Sequence, residues 1–481
     1  MGELKEVLRA GLSPLDLMVV VGYFVAVLGV GFWAVRRKQQ LPQESEAYLL
    51  DGRRLTLPMF VATLVSSWYG GILGVGEYSY QYGISQWVVF GVPYYLFAGV
   101  FAAFLAERVQ QSTAVSIPDR LEQVYGPRAG KVGALLTFLM VSPAPYMLMV
   151  AILVQLLFGG SLVVCMLVGT LLSTLYLWRG GFRSVTATNY LEFAMMYAGF
   201  ILILPFAYAT YGGASFLEAN LPPQHLSATG GKSLQYIMVW FFIALSTLVE
   251  PGFHQRCEAA SSPGVARKGI WVSICFWFLF DALTVTTGLY ARAALPELRE
   301  PSLAYPMLAA KVLPPGLLGL FYVGLLATVM STLVSNAFLA GQTLGRDLLG
   351  RIFGGDPIRF TRLGLGLALG LAGLLSWLKP SVVDLWYSVG SCLVPSMLLP
   401  LLLSYAPGLK PSGGVALGMM GVGAATALSW MVVGDLNRTG EGVQYPLGLE
   451  PLYPALLATA LLWGGERLIR RFWEAQDNLA S

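Results

Sequence analysis

The stretch 58–83, PMFVATLVSSWYGGILGVGEYSYQYG, decides how the chain is read. Its flanks are apolar enough to lie in lipid, yet its centre holds Ser66-Ser67-Trp68-Tyr69-Gly70-Gly71. Two adjacent glycines beside two serines invite a helix to unwind at mid-membrane depth. Unwound backbone is tolerated there only against protein or a water-filled cavity. Its freed carbonyls can hold a cation, and the half-helix ends can face a substrate. A kink, or close helix packing through glycine, reads the same residues as well, so the segment needs partners before it becomes a site.

Two further stretches offer them. Residues 316–346, GLLGLFYVGLLATVMSTLVSNAFLAGQTLGR, carry a polar centre of Ser331, Thr332, Ser335 and Asn336. Ser331 and Ser335 are four apart and share a helix face. Hydroxyl oxygens are hard ligands suited to a hard cation such as Na⁺, by the oxygen preference that Mg²⁺ and Ca²⁺ show. The plainer alternative is that each hydroxyl bonds back to its own helix carbonyl. The segment 234–250 runs through Trp240-Phe241-Phe242 and Ser246-Thr247 to Glu250 before Pro251, and reads as a second helix broken near Phe242–Thr247.

Composition sets the frame. Of 481 residues, 56% are apolar and 12% charged, and glycine occurs 55 times. The charged share is about half that of a soluble domain, and glycine is commoner in membrane helices. This excludes a disordered chain, a nucleic-acid binder and an ordinary cytosolic enzyme. A membrane β-barrel would alternate apolar and polar residues over about 10 positions; here the runs are about 20 long, the length of a spanning helix. The chain reads as an all-α polytopic membrane protein forming a single membrane domain, 1–481.

On that ruler about thirteen spans lie near 15–36, 57–82, 86–106, 131–157, 161–178, 187–211, 234–250, 269–291, 315–345, 363–378, 381–405, 413–433 and 451–469. With the N-terminus outside, the inner loops hold most of the 30 Lys and Arg residues, including Arg36, Arg37, Lys38, Arg120, Arg128, Arg256, Arg267 and Arg346. The positive-inside rule therefore predicts N-out, C-in, in the cell membrane. The loop 292–314, with its prolines, reads as short helical pieces and turns. The four cysteines have no paired or metal-ligand spacing, and both histidines, His225 and His254, fall in predicted loops. The sequon at Asn437 is weak.

The two irregular segments are the first and sixth helices after 15–36. That is what an inverted repeat of two five-helix halves, 57–211 and 234–405, predicts. An odd number of helices per half forces opposite orientations. One helix (15–36) then precedes the repeat and two (413–469) follow it.

At these residues the chain resembles the solute:sodium symporter family, with the five-plus-five inverted repeat of the leucine-transporter type. Gly74-x-Gly76-x-x-x-Tyr80-x-x-Gly83 is similar to the family's first core helix, STAVSIPDRLEQVYGPRAG (112–130) to its loop before the third, and Arg179-Gly180-Gly181 to its turn before the fifth. Ala327-Thr328-Val329-Met330-Ser331-Thr332-Leu333 followed by Arg346-Asp347 resembles its eighth. The resemblance implies a sodium site of the Leu64, Ser67 and Thr328 carbonyls with the Ser331 and Thr332 hydroxyls. It places the substrate against Ser66, Trp68, Tyr69 and Gly70 and the aromatics Trp240, Phe241 and Phe242. There are departures. Members with a second sodium carry an Asp where Asn189 stands, and Val334 replaces a serine of that site, although Ser335 remains. Glu192 stands where the family often has Gln, and Glu250-Pro251 where it has Gln-Pro. One Na⁺ is therefore expected.

The implied function is Na⁺-coupled symport of a small polar organic solute: an amino acid such as proline, a sugar or a small carboxylate. One Na⁺ moving down 100 mV contributes about 2.3 kcal/mol, so a single ion suffices for useful accumulation. A proton-coupled carrier using Glu192 or Glu77 is the alternative, since membrane carboxylates are functional candidates by default; Glu192, near the inner end of its helix, reads as able to reach water. A transporter-shaped solute sensor is a third reading. No catalytic constellation is visible, and nothing points to nucleic acid or an obligatory protein partner. Asp281, inside a span, is expected to face protein and accept a hydrogen bond from a neighbouring helix.

Overall fold

A chain in hydrocarbon must satisfy its backbone internally, and long apolar runs do so as helices. The computed structural model describes residues 11–36, 44–378, 382–438 and 443–480. Among these it is helical throughout, with one isolated bridge, Leu55 to Ala260. Nine helical segments among the described residues are long and apolar enough to cross a membrane, and Leu57–Ser66, Leu162–Thr174 and Gly390–Ser404 are shorter apolar helices. Arg37, Lys38 and Thr439 of the sequon lie outside the described residues.

A leading helix, Pro14–Arg36, packs against the long bent helix Leu177–Tyr211 and the central helix Leu317–Gly341. The bend is at Gly181, with φ +55°, where a Cβ would meet the Tyr48 carbonyl oxygen at 2.3 Å. Only glycine adopts that backbone at that approach, and the turn expected at Arg179-Gly180-Gly181 is there. The central helix is the core of the bundle: all its residues but Leu317, Leu320 and Asn336 are buried. Large apolar side chains exposed on the periphery, Met18, Val25, Leu167, Leu371 and Leu461 among them, form a surface suited to lipid.

Among the described residues, two helices that pack on one another are broken. The first is Leu57–Ser66 followed by Ile72–Tyr82. The second is Leu234–Ile243, a tight turn through Ala244–Val249, and Pro251–Ala259. The expected span 234–250 therefore continues to 259. Its second half, PGFHQRCEA, is polar yet buried at every residue but Gly252, because it lies against protein and not lipid. His254 is consequently not in a loop: it is 1% exposed inside this half-helix, with its Nε2 3.2 Å from the Leu248 carbonyl oxygen. His225 is in a short turn, bonded to the Tyr80 carbonyl oxygen. The expected span 131–157 is divided at Ser142-Pro143 into Pro127–Met140 and Ala144–Phe158. The loop 292–314 holds the short helical pieces Pro301–Leu303 and Ala304–Val312.

The far end of the second broken helix is tied to the entry of the first: Leu55 N–H donates to the Ala259 carbonyl (2.9 Å) and Ser261 N–H to Leu55 (3.1 Å). At the same end the short helix Ile117–Tyr125 is clamped to the helical continuation of the central helix, 342–353, by Asp119, which Arg346 (2.9 Å) and Arg351 hold. Burial works against ionisation of Asp119, but the two guanidiniums outweigh it and hold its carboxyl below the usual range.

Candidate functional site

The first break is a change of hydrogen bonding. Ser67 N–H still donates to the Thr63 carbonyl (3.3 Å), but Trp68 N–H turns to Val65 (3.2 Å) instead of Leu64. The Leu64 carbonyl is left with the Ser67 hydroxyl at 3.4 Å. The Ser66 carbonyl accepts across the gap from Ser331 Oγ of the central helix, at 2.8 Å. Gly70 is what lets the unwound segment pass: a Cβ there would lie 2.5 Å from the Tyr146 ring and 2.7 Å from Thr332 Cβ.

On the central helix, Ser331 Oγ also reaches the Thr328 carbonyl (3.1 Å), and Thr332 Oγ1 the same carbonyl (3.3 Å). Thr328 Oγ1 bonds back to Gly324 (2.6 Å) and is used up within its own helix. Ser331 is thus not an ordinary back-bonded hydroxyl; it is shared between two helices. Around the break lie neutral, hard oxygens, a kind of donor that suits an alkali cation: the Ser66 carbonyl meets the Ser331 hydroxyl, and the Thr328 carbonyl meets those of Ser331 and Thr332. Among the described residues no group of three or more His, Cys, Asp or Glu is placed to hold a metal ion.

The aromatic surroundings differ from the expectation. Trp68 is half-buried among Tyr94 (5.4 Å), Phe253 (5.4 Å) and Trp277 (5.3 Å). Tyr69 turns away to Phe280, and its hydroxyl donates to the Trp277 carbonyl (3.0 Å). Trp240, Phe241 and Phe242 are not brought to Trp68. Trp240 packs on Phe90, Phe241 on Phe97, and Phe242 on Tyr453. Trp240 lines a separate recess with Ser233, Tyr236 and Glu450. The 234–243 half-helix ends before the break and presents its rings to its own neighbours. The rings around Trp68 come instead from Val92–Phe104 (Tyr94), the second half-helix (Phe253) and Pro263–Ala294 (Trp277). Ser66 itself is buried, with no partner for its hydroxyl.

Three buried ionisable groups complete the region. Asp281 is 3% exposed and accepts from Tyr95, whose hydroxyl in turn accepts from Trp87 Nε1 at 3.2 Å; this is the interhelical bond expected of it. Glu192 is fully buried and accepts from Tyr23 of the leading helix (3.3 Å), so it does not reach water at its helix end. Arg256, counted among loop cations from the sequence, is fully buried in the second half-helix.

Two broken helices facing one another inside a membrane bundle, with freed carbonyls and hydroxyls at the break, define a cation-coupled secondary carrier. The sodium:solute symporter family profile matches residues 48–378, and the chain belongs to that family. It is a Na⁺-coupled solute symporter, not an enzyme. It is 25% identical over 465 residues to the osmoregulated proline transporter OpuE of Bacillus subtilis (strain 168), covering 89% of this chain and 91% of that one. It is 24% identical over 478 residues to the sodium/pantothenate symporter of Escherichia coli (strain K12), covering 92% and 94%. Similarity to the high affinity choline transporter 1 of Homo sapiens is 23% over 437 residues, covering 83% and 74%. In fold it is similar to a Na⁺-coupled sialic acid symporter solved in a substrate-bound outward-open state, with TM-score 0.77, 15% identity, and 94% and 96% of the two chains covered.

Proposed function

We propose that this symporter moves one Na⁺ with each solute, the ion lying between the Leu64, Ser67 and Thr328 carbonyls and the Ser331 and Thr332 hydroxyls. The observation that carries the reading is the 2.8 Å bond from Ser331 Oγ to the Ser66 carbonyl, which sets the central helix against the break. Five neutral oxygens replace much of a small cation's water shell. A second ion would meet Asn189 and Val334, which bring no charge and no side-chain oxygen respectively, so its desolvation would be poorly compensated.

The solute is placed beside the break, with Trp68, Gly70 and the Tyr94, Phe253 and Trp277 rings near it. Relatives named for proline, pantothenate and choline support a small polar organic solute: an amino acid such as proline, a sugar or a small carboxylate. In the bilayer the chain is read as thirteen spans, N-out and C-in, with repeats 57–211 and 234–405, one helix before them and two after. Glu192 keeps a second reading in view, since a fully buried carboxylate on a membrane helix suits a proton-coupled carrier. A thermal-shift screen of purified protein against a solute library, with and without Na⁺, identifies the solute. Uptake at fixed pH then separates the readings: Na⁺ dependence supports the first, and uptake indifferent to Na⁺ but driven by a pH gradient supports the second.

A further inference from the structure

Beside Ser335 and Asn189, where the family resemblance implies a second ion, the protein carries a charge of its own. Arg256 is fully buried. Its Nη2 donates to Ser335 Oγ at 2.8 Å and to Ser67 Oγ at 3.3 Å, and its Nη1 to Gln255 Oε1 at 3.2 Å. Its Nε has no partner, and the Phe182 ring lies 5.6 Å from the guanidinium carbon. None of its acceptors is a carboxylate. A buried charge without compensation is among the costliest things a fold can hold; Glu250 acts on it across space, and the bonds that leave it reach a second carboxylate.

They lead to Glu192. Ser335 Oγ, already accepting from Arg256, has a proton to give, and the Asn189 side chain stands 3.1 Å away. With the Asn189 amide oxygen toward Ser335, its nitrogen donates to the Val185 carbonyl and to Glu192 Oε2, both at 3.2 Å. This orientation satisfies both ends of the amide; the reverse sets its oxygen against the Val185 carbonyl and the Glu192 carboxylate. Glu192 Oε1 accepts from Tyr23. One chain of bonds thus runs from the guanidinium through Ser335 and Asn189 to a buried carboxylate, crossing from the second broken helix to the central helix and the long bent helix. Glu250 is the other carboxylate nearby, since a Cβ on Gly252 would lie 3.5 Å from its Oε1 and 3.6 Å from Arg256 Nη1. Its Oε1 is engaged by the Gly252 N–H at 3.4 Å.

We propose that the Arg256 guanidinium is a resident cation occupying the position of a second coupling ion, balanced by Glu192 through Ser335 and Asn189. The inference rests on the single-sodium reading and extends it. The negative charge is set one helical turn beyond residue 189, and the positive charge belongs to the protein. Because Nη2 also holds Ser67, whose carbonyl lines the sodium cradle, the resident charge and the transported ion feel one another. Arg256 and Glu192 are positioning residues and do not touch the solute.

The test is Na⁺ titration of the full chain, purified and reconstituted, at fixed pH, read by intrinsic tryptophan fluorescence. Wild type gives a Hill coefficient near one. Glu192→Gln leaves the guanidinium uncompensated beside the cradle and raises the half-saturating Na⁺ at least about fivefold; Glu250→Gln raises it less. Arg256→Gln leaves Glu192 unbalanced and lets a second Na⁺ enter, so the Hill coefficient rises toward two. Arg256→Lys keeps it near one. The neutral pair Arg256→Gln/Glu192→Gln returns to one ion, with half-saturation within about twofold of wild type.

A Hill coefficient near two in wild type overturns the proposal. So does an unchanged half-saturation in Glu192→Gln, a larger effect in Glu250→Gln, or equal behaviour of the Lys and Gln variants at 256. Should Arg256→Gln fail to give a monodisperse protein, the wild-type and Glu192→Gln titrations decide alone. Ser331→Ala, titrated in parallel, separates the two claims. An unaffected Ser331→Ala sinks the sodium-site reading, while a defective Ser331→Ala with an unaffected Glu192→Gln sinks only the resident cation.

Discussion

Ser331→Ala removes one hydroxyl and two contacts, the 2.8 Å bond to the Ser66 carbonyl and the 3.1 Å bond to the Thr328 carbonyl. The residue is fully buried, so water cannot simply replace the oxygen. A hydrogen bond to a neutral group contributes about 1 kcal/mol to stability, and a contact to a charged group about 1.5–3 kcal/mol. The fold therefore loses little, while the ion loses a ligand. At about 1.4 kcal/mol per tenfold, the half-saturating Na⁺ rises about ten- to a hundredfold. The assay is initial uptake rate against Na⁺ concentration in proteoliposomes, with thermal stability measured in parallel. Thr332→Ala should behave alike and Ser335→Ala should show a smaller effect. A half-saturating concentration within about twofold of wild type, against the loss expected for a charged contact, refutes the assignment of Ser331 as a sodium ligand. A Ser335→Ala effect equal to that of Ser331→Ala would move the ion one helical turn along that face, toward Ser335.

Asp281→Asn should keep the Na⁺ dependence of uptake and lower stability by about 1–3 kcal/mol, since the carboxylate serves the Tyr95 bond; loss of sodium stimulation in a folded variant would make Asp281 an ion ligand. Gly70→Ala drives a methyl into the Tyr146 ring and Thr332, so it should cost about 1–3 kcal/mol and raise the half-saturating Na⁺, and wild-type titration by this variant would show that the break is not held between those two side chains. Asp119→Asn bears on pH. The folded Asp119 carboxyl titrates below its unfolded value, about 3.9, so its contribution is complete above that value and is lost as pH falls through the lower folded one. Melting temperature between about pH 5 and pH 3 should therefore fall less steeply in Asp119→Asn than in wild type, and parallel curves would contradict the clamp.

The break at Ser66–Gly71 and the cluster at Ser331-Thr332 were legible because small and polar residues at mid-membrane depth stand out against lipid. The half-helix Pro251–Ala259 was not, for the converse reason. Hydropathy measures the cost of a residue against hydrocarbon, and PGFHQRCEA is buried against protein, where Ser67 and Ser335 accept from Arg256 and Gln342 accepts from Gln255. That error hid Arg256 and put His254 in a loop. For the run Trp240-Phe241-Phe242, aromatic content marks a membrane interior without saying which neighbour each ring meets. Tyr94, Phe253 and Trp277 gather on Trp68 from segments far apart in sequence, and no local pattern announces that. Glu192 could have been connected with Asn189 from their spacing of three on one helix face; what the sequence lacked was the Ser335 hydroxyl between that face and the guanidinium.

The measurement closest to the central claim is the flux ratio of ²²Na⁺ to solute in proteoliposomes, taken at fixed pH with the solute identified by the thermal-shift screen. One Na⁺ should enter with each solute, the ratio should hold across Na⁺ concentrations, and Ser331→Ala should need more Na⁺ to reach the same ratio. A ratio of two, or solute entry without sodium flux and driven by a pH gradient, would contradict it.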